Sequence, residues 1–442
     1  MPWQNAPMSA LQRLVALLVG LLVVVGVAAL GLNVAGGGSG SAASPSAGPS
    51  RSASPSDRGS EQPPASVDAS PDDEDTLAIL REIEEQVVEI RGLPAADIGP
   101  PEIITRAELA DELEQLFEEE YPPEDQERDN IALRALGLLE PGQDVAELQL
   151  QLLGDQVLGF YDDVERRMVV VSDAGLDPEA KLTYAHEYTH ALQDAAFGLD
   201  SLETDEVGED DRALARTAMI EGDATVTMLA WAFAYLTPEE LMQIGTGAVP
   251  DTSGIPSWMV EQLQFPYNEG ALWAGALTVN PTQPDFDALD AAYDDPPDST
   301  EQIIDVAAWP HGDEPVSIET LDLAAALGDG WSEVDATPIG QASIEIMLAY
   351  LGVQRSVATE AADGWGGDEA VIASGPDDAF AVAWRLAWDA PSDADEFVDA
   401  YETAIETLDF PATVVTLPGG DVLVVHASSE ALLDEVLAAA AR

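Results

Sequence analysis

Two of the four histidines in this chain of 442 residues lie four positions apart, with a glutamate directly after the first of them. These residues are His186, Glu187 and His190. On an α-helix, residues four positions apart share one face, so both imidazoles can bind one metal ion while Glu187 flanks it. We therefore predict a zinc (Zn2+) site, against the simpler interpretation that the two histidines are polar residues of a partly buried helix.

The residues around this motif predict the helix that it needs. Apolar side chains recur at spacings of three and four, and no proline interrupts residues 179–197. Asp177 and Pro178 are typical of the N-cap and the first position of a helix, and Gly198 is typical of its end. The mostly apolar stripe consists of Leu182, Ala185, Thr189, Leu192 and Ala196.

A zinc ion of this kind takes a third protein ligand and a water molecule, and the chain has no cysteine to supply a thiolate. The metzincin pattern is excluded, because Gln193 and Ala196 stand where it has a glycine and a third histidine. Carboxylates remain, and we favour Glu221, since it lies in an apolar helical segment where a charged side chain needs a partner. The alternative ligands are Asp194, Asp200 and Asp223. If Glu221 is the ligand, Asp194 or Asp223 would orient a ligand histidine.

Residues 186–194, followed by a helical segment with Glu221, resemble the gluzincins, the thermolysin-like zinc peptidases. The resemblance implies a zincin-like fold and hydrolysis of a peptide or protein substrate with Glu187 as the general base. It also implies that a strand just before the metal-binding helix pairs with the substrate backbone. Gluzincins often use a tyrosine or histidine to stabilise the oxyanion, and the candidates here are Tyr267 and His311.

From about Asp75 onward the chain also resembles a group of uncharacterised, membrane-anchored bacterial metallopeptidase-like proteins. This resemblance rests on several short motifs as well as on the two helices of the zinc site. The motifs are Val157 to Asp162, Phe265 to Tyr267, Pro296 to Gln302 and Gly364 to Asp368.

The chain is strongly acidic, with 84 Asp and Glu residues against 16 Lys and Arg residues and a formal net charge of −68. Such a chain is a poor candidate for binding nucleic acid or anionic lipid. The charge is spread over the chain, which favours a solvated surface suited to high salt and hence a halophilic source. Seven of the twelve residues 200–211 are acidic, which predicts either an exposed loop or a calcium (Ca2+) site.

The N-terminal part of the chain predicts a membrane anchor. Residues 14–35 carry no charge and are long enough to cross a bilayer as a helix, although a cleaved signal peptide is the alternative. Arg13 precedes this run and no Lys or Arg follows it before Arg51, so residues 1–13 are expected in the cytoplasm and the rest outside. Residues 36–72 are rich in Gly, Ser, Ala and Pro, which predicts a disordered linker.

The remaining chain is predicted to be α+β and predominantly helical, with a small antiparallel sheet. Residues 73–145 form an N-terminal helical segment that either packs on the core or caps its cleft, and residues 146–280 form the zincin-like catalytic core with a hairpin at 156–171. Residues 281–442 are predicted to be a helical region with a terminal hairpin. In that region we expect a tight turn at 364–368, helical core positions at Trp384, Trp388 and Phe397, and a structural role for His426.

The function predicted from the sequence is therefore that of a membrane-anchored, extracytoplasmic zinc peptidase. The alternative is a catalytically inactive zincin-like domain that binds a protein or serves as a scaffold at the cell envelope. Glu187 favours the enzyme, because a binding domain does not need a carboxylate at the position of the general base.

Overall fold

In a computed structural model of the protein, residues 71–153, 159–171, 176–202, 208–244, 252–280 and 284–441 are described. The predicted cytoplasmic segment and anchor, and the predicted linker up to residue 70, lie outside these ranges. Within the described ranges, no helix has both the length and the apolar character needed to cross a bilayer. Described structure begins with a helix at Pro71, so the last two residues of the predicted linker, 71–72, belong to this helix.

The protein has a mixed α+β fold in which helices predominate. The helices are α1 (Pro71–Arg91), α2 (Arg106–Glu120), α3 (Pro123–Ala135), α4 (Val145–Leu153), α5 (Pro178–Phe197), α6 (Asp210–Tyr235), α7 (Pro238–Leu241), α8 (Ser257–Thr278), α9 (Asp287–Ala292), α10 (Thr300–Ile304), α11 (Ala308–His311), α12 (Leu323–Leu327), α13 (Gly340–Tyr350), α14 (Arg355–Ala362), α15 (Pro391–Ala404) and α16 (Glu430–Ala440). The strands are β1 (Glu102–Ile104), β2 (Gly159–Asp162), β3 (Arg167–Val171), β4 (Ser332–Thr337), β5 (Trp365–Ser374), β6 (Phe380–Trp388), β7 (Ala412–Thr416) and β8 (Val422–Ala427).

The first sheet has three strands in the order β1-β3-β2. Strands β2 and β3 form the predicted antiparallel hairpin, with Phe160 opposite Val169. Strand β1 adds a parallel pairing to β3, with Ile103 opposite Val170, so the small sheet contains the predicted antiparallel hairpin and one further strand that was not predicted. Strand β1 is only three residues long, too short to display a period of two in the sequence.

Helix α5 carries the histidine motif and has the ends that the sequence predicts. Asp177 accepts a hydrogen bond from the main-chain N–H of Ala180 at 2.8 Å, and Gly198 ends the helix with a left-handed φ of 72°. The N-terminal helix α1 packs on α5, burying Leu80 and Val87 in the same apolar cluster as residues of α5. The described N-terminal helix is therefore part of the core around the site.

The C-terminal region contains a five-stranded antiparallel sheet in the order β4-β5-β6-β8-β7. The predicted terminal hairpin is β7–β8, but the description of the rest as helical was incomplete. Trp384 and Trp388 lie in β6 and were wrongly assigned to helices, whereas Phe397 lies in α15. Most residues of β5 and β6 are buried, so their sequences lack the alternation that reveals a half-exposed strand.

The motif at 364–368 combines the predicted turn at Gly364, whose φ is 73°, with the first four residues of strand β5. Its last residue, Asp368, is buried and accepts hydrogen bonds from the main-chain N–H groups of Ile339 and Gly340, at 2.8 and 2.9 Å. It also accepts from the indole N–H groups of Trp365 and Trp384, at 2.8 and 2.6 Å. Burial raises the pKa of Asp368, while these four hydrogen bonds act in the opposite direction. This carboxylate therefore fixes the start of α13 to the sheet.

A second buried carboxylate links the C-terminal region to α6. Asp211, in the first turn of α6, accepts hydrogen bonds from the N–H and the hydroxyl of Thr300, at 3.1 and 2.5 Å. The hydroxyl of Thr300 in turn accepts from the N–H of Ala342 in α13, at 3.1 Å. Burial raises the pKa of Asp211 to about 7. Thr300 belongs to the motif at 296–302, so this motif has a structural role.

Candidate metal centre

Helices α5 and α6 bring His186, His190 and Glu221 together in the interior of the protein. His186 Nε2 lies 2.9 Å from Glu221 Oε2 and 3.0 Å from His190 Nε2. His190 Nε2 lies 3.5 Å from Glu221 Oε2. The structure thus groups the three side chains that the sequence singles out as metal ligands, and all three are buried.

The arrangement fits a tetrahedral zinc ion. Ligand atoms at the zinc–nitrogen and zinc–oxygen distances found in proteins, about 2.0–2.1 Å, lie about 3.3 Å from one another in a tetrahedron. The three separations in the cluster are close to this value. Glu221 Oε1 and Glu187 Oε1 are buried and have no hydrogen-bond partner among the described residues. Two imidazoles and one carboxylate are a known ligand set for zinc that leaves the fourth position open.

Glu187 lies beside this cluster, with 2 % of its surface exposed. Its Oε2 atom accepts a hydrogen bond from the main-chain N–H of Tyr161 in β2, at 3.0 Å. Burial raises the pKa of Glu187 to about 8, although the charge of His190 opposes the increase. A nearby divalent cation would lower this pKa.

Charges and hydrogen bonds shift the pKa values of the side chains in the cluster. Burial lowers the pKa of His190, but attraction to Glu221 and hydrogen bonds outweigh burial and raise it to about 9. Burial raises the pKa of Glu221, but the two histidines outweigh it and lower the value. His186 differs, because burial is the largest influence and lowers its pKa. The pKa shifts of Glu221 and His190 have the directions expected for an ion pair between a carboxylate and an imidazolium.

The three alternative carboxylates lie outside the cluster. Asp223 accepts hydrogen bonds from Arg91 and Tyr293. Asp194 accepts a hydrogen bond from the hydroxyl of Tyr161 at 3.1 Å, and Asp200 lies in a 3₁₀ turn at 199–202. None of the three belongs to the cluster that α5 and α6 form in the described chain.

The side chain that contacts the His190 ring nitrogen Nδ1 is neither Asp194 nor Asp223. His190 Nδ1 lies 2.8 Å from Gln193 Oε1, so Gln193 holds this ring. His186 Nδ1 has no hydrogen-bond partner in the described part of the chain. The sequence contains a weak signal for this contact, because Gln193 lies one turn after His190 on the same helix face.

The two oxyanion candidates occupy different surroundings. Tyr267 in α8 is 4 % exposed, and its ring centroid lies 6.0 Å from that of His186. His311 is exposed at the end of α11, and its Nδ1 bonds to the carbonyl of Ala307 at 2.5 Å. Of these two residues, the structure brings Tyr267 next to the cluster.

The fourth histidine, His426, occupies a structural position in β8. Its Nε2 lies 2.9 Å from the hydroxyl of Tyr401, and its Nδ1 lies 2.8 Å from the carbonyl oxygen of Ala135. The ring is fully buried and joins β8 to α15 and α3.

The acidic segment at 200–211 is only partly described, because residues 203–207 fall outside the described ranges. Its last two residues, Asp210 and Asp211, are buried at the start of α6. This end of the segment is therefore not the exposed acidic loop that we predicted, and Asp211 is engaged by Thr300.

A comparison with protein families finds a match to the C-terminal sheet region. Residues 327–437, about a quarter of the chain, match the family described as "Domain of unknown function (DUF8575)". This range begins at the end of α12 and ends within α16, so it does not include the histidine cluster. Searches of curated proteins and of solved structures find no match.

Proposed function

We propose that this protein is a zinc-dependent peptidase of gluzincin type, with a zincin-like catalytic core. The observation that carries the proposal is the buried convergence of His186, His190 and Glu221, with the carboxylate of Glu187 beside it. The three ligand atoms have separations close to those around a tetrahedral ion, and a bound cation would compensate the buried charge of Glu221.

Each residue has a distinct role in the proposed reaction. His186, His190 and Glu221 would hold the ion, which when bound polarises the scissile carbonyl and acidifies water. Glu187 accepts the proton of the attacking water and passes it to the leaving amine. Tyr267 donates its hydroxyl hydrogen to the developing oxyanion, which is consistent with its position next to His186.

Strand β2 is the proposed docking edge for an extended peptide. It lies at the edge of the three-stranded sheet, and its residue Tyr161 contacts Glu187 through the main chain. A peptide in an extended conformation supplies main-chain donors and acceptors that can pair with such an edge. The proposed substrate is therefore an unfolded or flexible protein segment. We also propose that residues 14–35 anchor the protein in the membrane, with the catalytic core and its substrate outside the cell.

Two substitutions of glutamate by glutamine test the assigned roles. Glu187→Gln removes the base and keeps the ligands, so it should bind zinc almost normally while hydrolysis of a denatured protein in high salt falls about 10²- to 10⁴-fold. Glu221→Gln replaces a ligand by a neutral amide and should lose zinc affinity. Each variant serves as the control for the other, because the chemical change is the same.

The alternative function is a zinc-binding scaffold without catalysis, which the depth of the cluster favours: His186 and Glu221 are both 0 % exposed. Elemental analysis and the same hydrolysis measurement separate the two functions. Full zinc content in wild type without hydrolysis of any unfolded protein would leave only the scaffold. Well under one zinc per chain, after refolding with the metal, would exclude both.

A further inference from the structure

Gln193 joins the two helices that carry the histidine cluster. Its side chain is 0 % exposed and makes two hydrogen bonds through opposite ends of the amide. Its Oε1 atom lies 2.8 Å from His190 Nδ1, and its Nε2 atom donates to the carbonyl oxygen of Ile220 at 3.0 Å. Ile220 is the residue just before Glu221 in α6, so one amide contacts both sides of the cluster.

The partners of Gln193 determine which ring nitrogen of His190 carries the hydrogen. A main-chain carbonyl can only accept, so the amide nitrogen must face Ile220 and the amide oxygen must face His190. The amide oxygen can also only accept, so His190 Nδ1 must carry a hydrogen. His190 Nε2 is therefore the nitrogen left to bind an ion, and it is the nitrogen that faces His186 and Glu221.

The hydrogen bond from Gln193 to the carbonyl oxygen of Ile220 also helps to set the distance between α5 and α6. If α6 moved away from α5, the bond from Gln193 to Ile220 would break and Glu221 would move with Ile220. His186 lacks an equivalent support, because its Nδ1 has no hydrogen-bond partner among the described residues. The precision of the ligand set therefore depends strongly on Gln193.

We infer that Gln193 is a positioning residue for the metal centre, which fixes the tautomer of His190 and holds Glu221 at its distance. This inference rests on the proposed function, because it assumes that the cluster binds a metal ion. Residues that orient a ligand histidine in other metal sites contribute about 10- to 100-fold to metal affinity.

Three variants separate this role from simple packing. Gln193→Met keeps the size and helix propensity and removes both hydrogen bonds. Gln193→Glu keeps an acceptor for His190 but cannot donate to Ile220. The control is Gln262→Met, because Gln262 in α8 is also buried and its amide is hydrogen-bonded to Ser343. The readouts are the zinc Kd, measured by competition with a chromophoric chelator, and the midpoint of urea unfolding of the metal-free protein.

We expect Gln193→Met to raise the zinc Kd about 10- to 100-fold. Gln193→Glu should bind zinc at least about tenfold more tightly than Gln193→Met, because a carboxylate also holds Nδ1–H and makes the ring more basic. In the absence of metal, Gln193→Glu should be less stable than wild type, since its carboxylate oxygen would face the carbonyl oxygen of Ile220 and both atoms are acceptors. Gln262→Met should lose stability and keep the zinc Kd of wild type within about threefold. If Gln193 acted only through packing, a variant that binds zinc more tightly than Gln193→Met would also have to be more stable. Gln193→Glu is expected to recover zinc affinity without recovering stability.

Two results would overturn the inference. One is a zinc Kd for Gln193→Met within about threefold of wild type, and the other is a Gln193→Glu variant that binds zinc no better than Gln193→Met. If Gln193→Met does not fold, Gln193→Asn takes its place, because its shorter side chain cannot reach both partners at once. Absence of zinc binding by wild type is a different outcome, which refutes the proposed function and with it the role of Gln193.

Discussion

Gly222 in α6 and Gly270 in α8 bring the backbones of these two helices into direct contact. A Cβ atom on Gly222 would lie 2.1 Å from the carbonyl oxygen of Gly270, and a Cβ on Gly270 would lie 2.1 Å from that of Ala218. Gly222 follows the proposed ligand Glu221, and Gly270 lies one turn after Tyr267. The close approach therefore sets how near Tyr267 comes to the cluster.

Gly270→Ala is expected to destabilise the protein by about 3 kcal/mol, because the methyl group would push two backbones apart and side-chain movement cannot relieve the clash. Gly275→Ala in the same helix is the matched control, since a Cβ there has no atom within 4 Å. That variant should be neutral or more stable by up to about 1 kcal/mol, the helix-propensity difference. Urea unfolding of both variants measures the effect. Equal stability of the two would contradict the close packing.

Arg91→Met tests the attachment of α1 to α6. Arg91 Nε lies 2.8 Å from Asp223 Oδ1, and both side chains are fully buried. Burial alone would lower the pKa of Arg91, but Asp223 outweighs it and raises the pKa. Removing one partner of a buried ion pair leaves a charge without compensation, so Arg91→Met should cost about 3–5 kcal/mol in the free energy of unfolding.

The double variant Arg91→Met/Asp223→Leu is the control for this pair. Apolar replacement of both partners removes the charge that Arg91→Met leaves at Asp223, so the double variant should recover part of the lost stability, reduced by the loss of the acceptor for the Tyr293 hydroxyl. Denaturant unfolding of the single and double variants gives the coupling energy. A double variant whose loss is the sum of the single losses would show that the two side chains act independently.

Some of these structural features could be predicted from the sequence, and others could not. Helix α5, its caps and the pairing of His186 with His190 depend on residues within about twenty positions, so local patterns suffice to predict them. Glu221 was accessible because a charge in an apolar helix needs a partner. Arg91 and Asp223 are 132 positions apart, and neither their residue types nor their spacing predicts that they are in contact.

The same distinction explains the errors in the C-terminal region. Strands β5 and β6 are buried over most of their length, so their apolar runs look like those of buried helices. The hydrogen bond between Tyr161 and Glu187 uses a main-chain N–H, which any residue except proline would provide, so the sequence contains no signal for it. Both features depend on contacts between residues distant in the sequence, which the periodicity of a single segment does not reveal.

His426 should make stability depend on pH between about 4 and 6.5. Burial lowers the pKa of His426 to about 4, below the value of about 6.5 for an unfolded chain. The folded protein therefore binds fewer protons at this residue than the unfolded chain does. Its contribution is fully present above pH 6.5 and is lost as the pH falls toward 4, by about 3 kcal/mol in total.

His426→Gln isolates this contribution from the titration of the many carboxylates. Glutamine does not titrate, and its amide can donate to the carbonyl of Ala135 and accept from the hydroxyl of Tyr401, as the neutral imidazole does. The measurement is the free energy of unfolding of wild type and variant from pH 4 to 8 at constant ionic strength. The difference between them should be constant above pH 6.5 and should shift in favour of the variant by about 3 kcal/mol on acidification to pH 4. A difference that does not change with pH would mean that His426 is not held neutral in the folded protein.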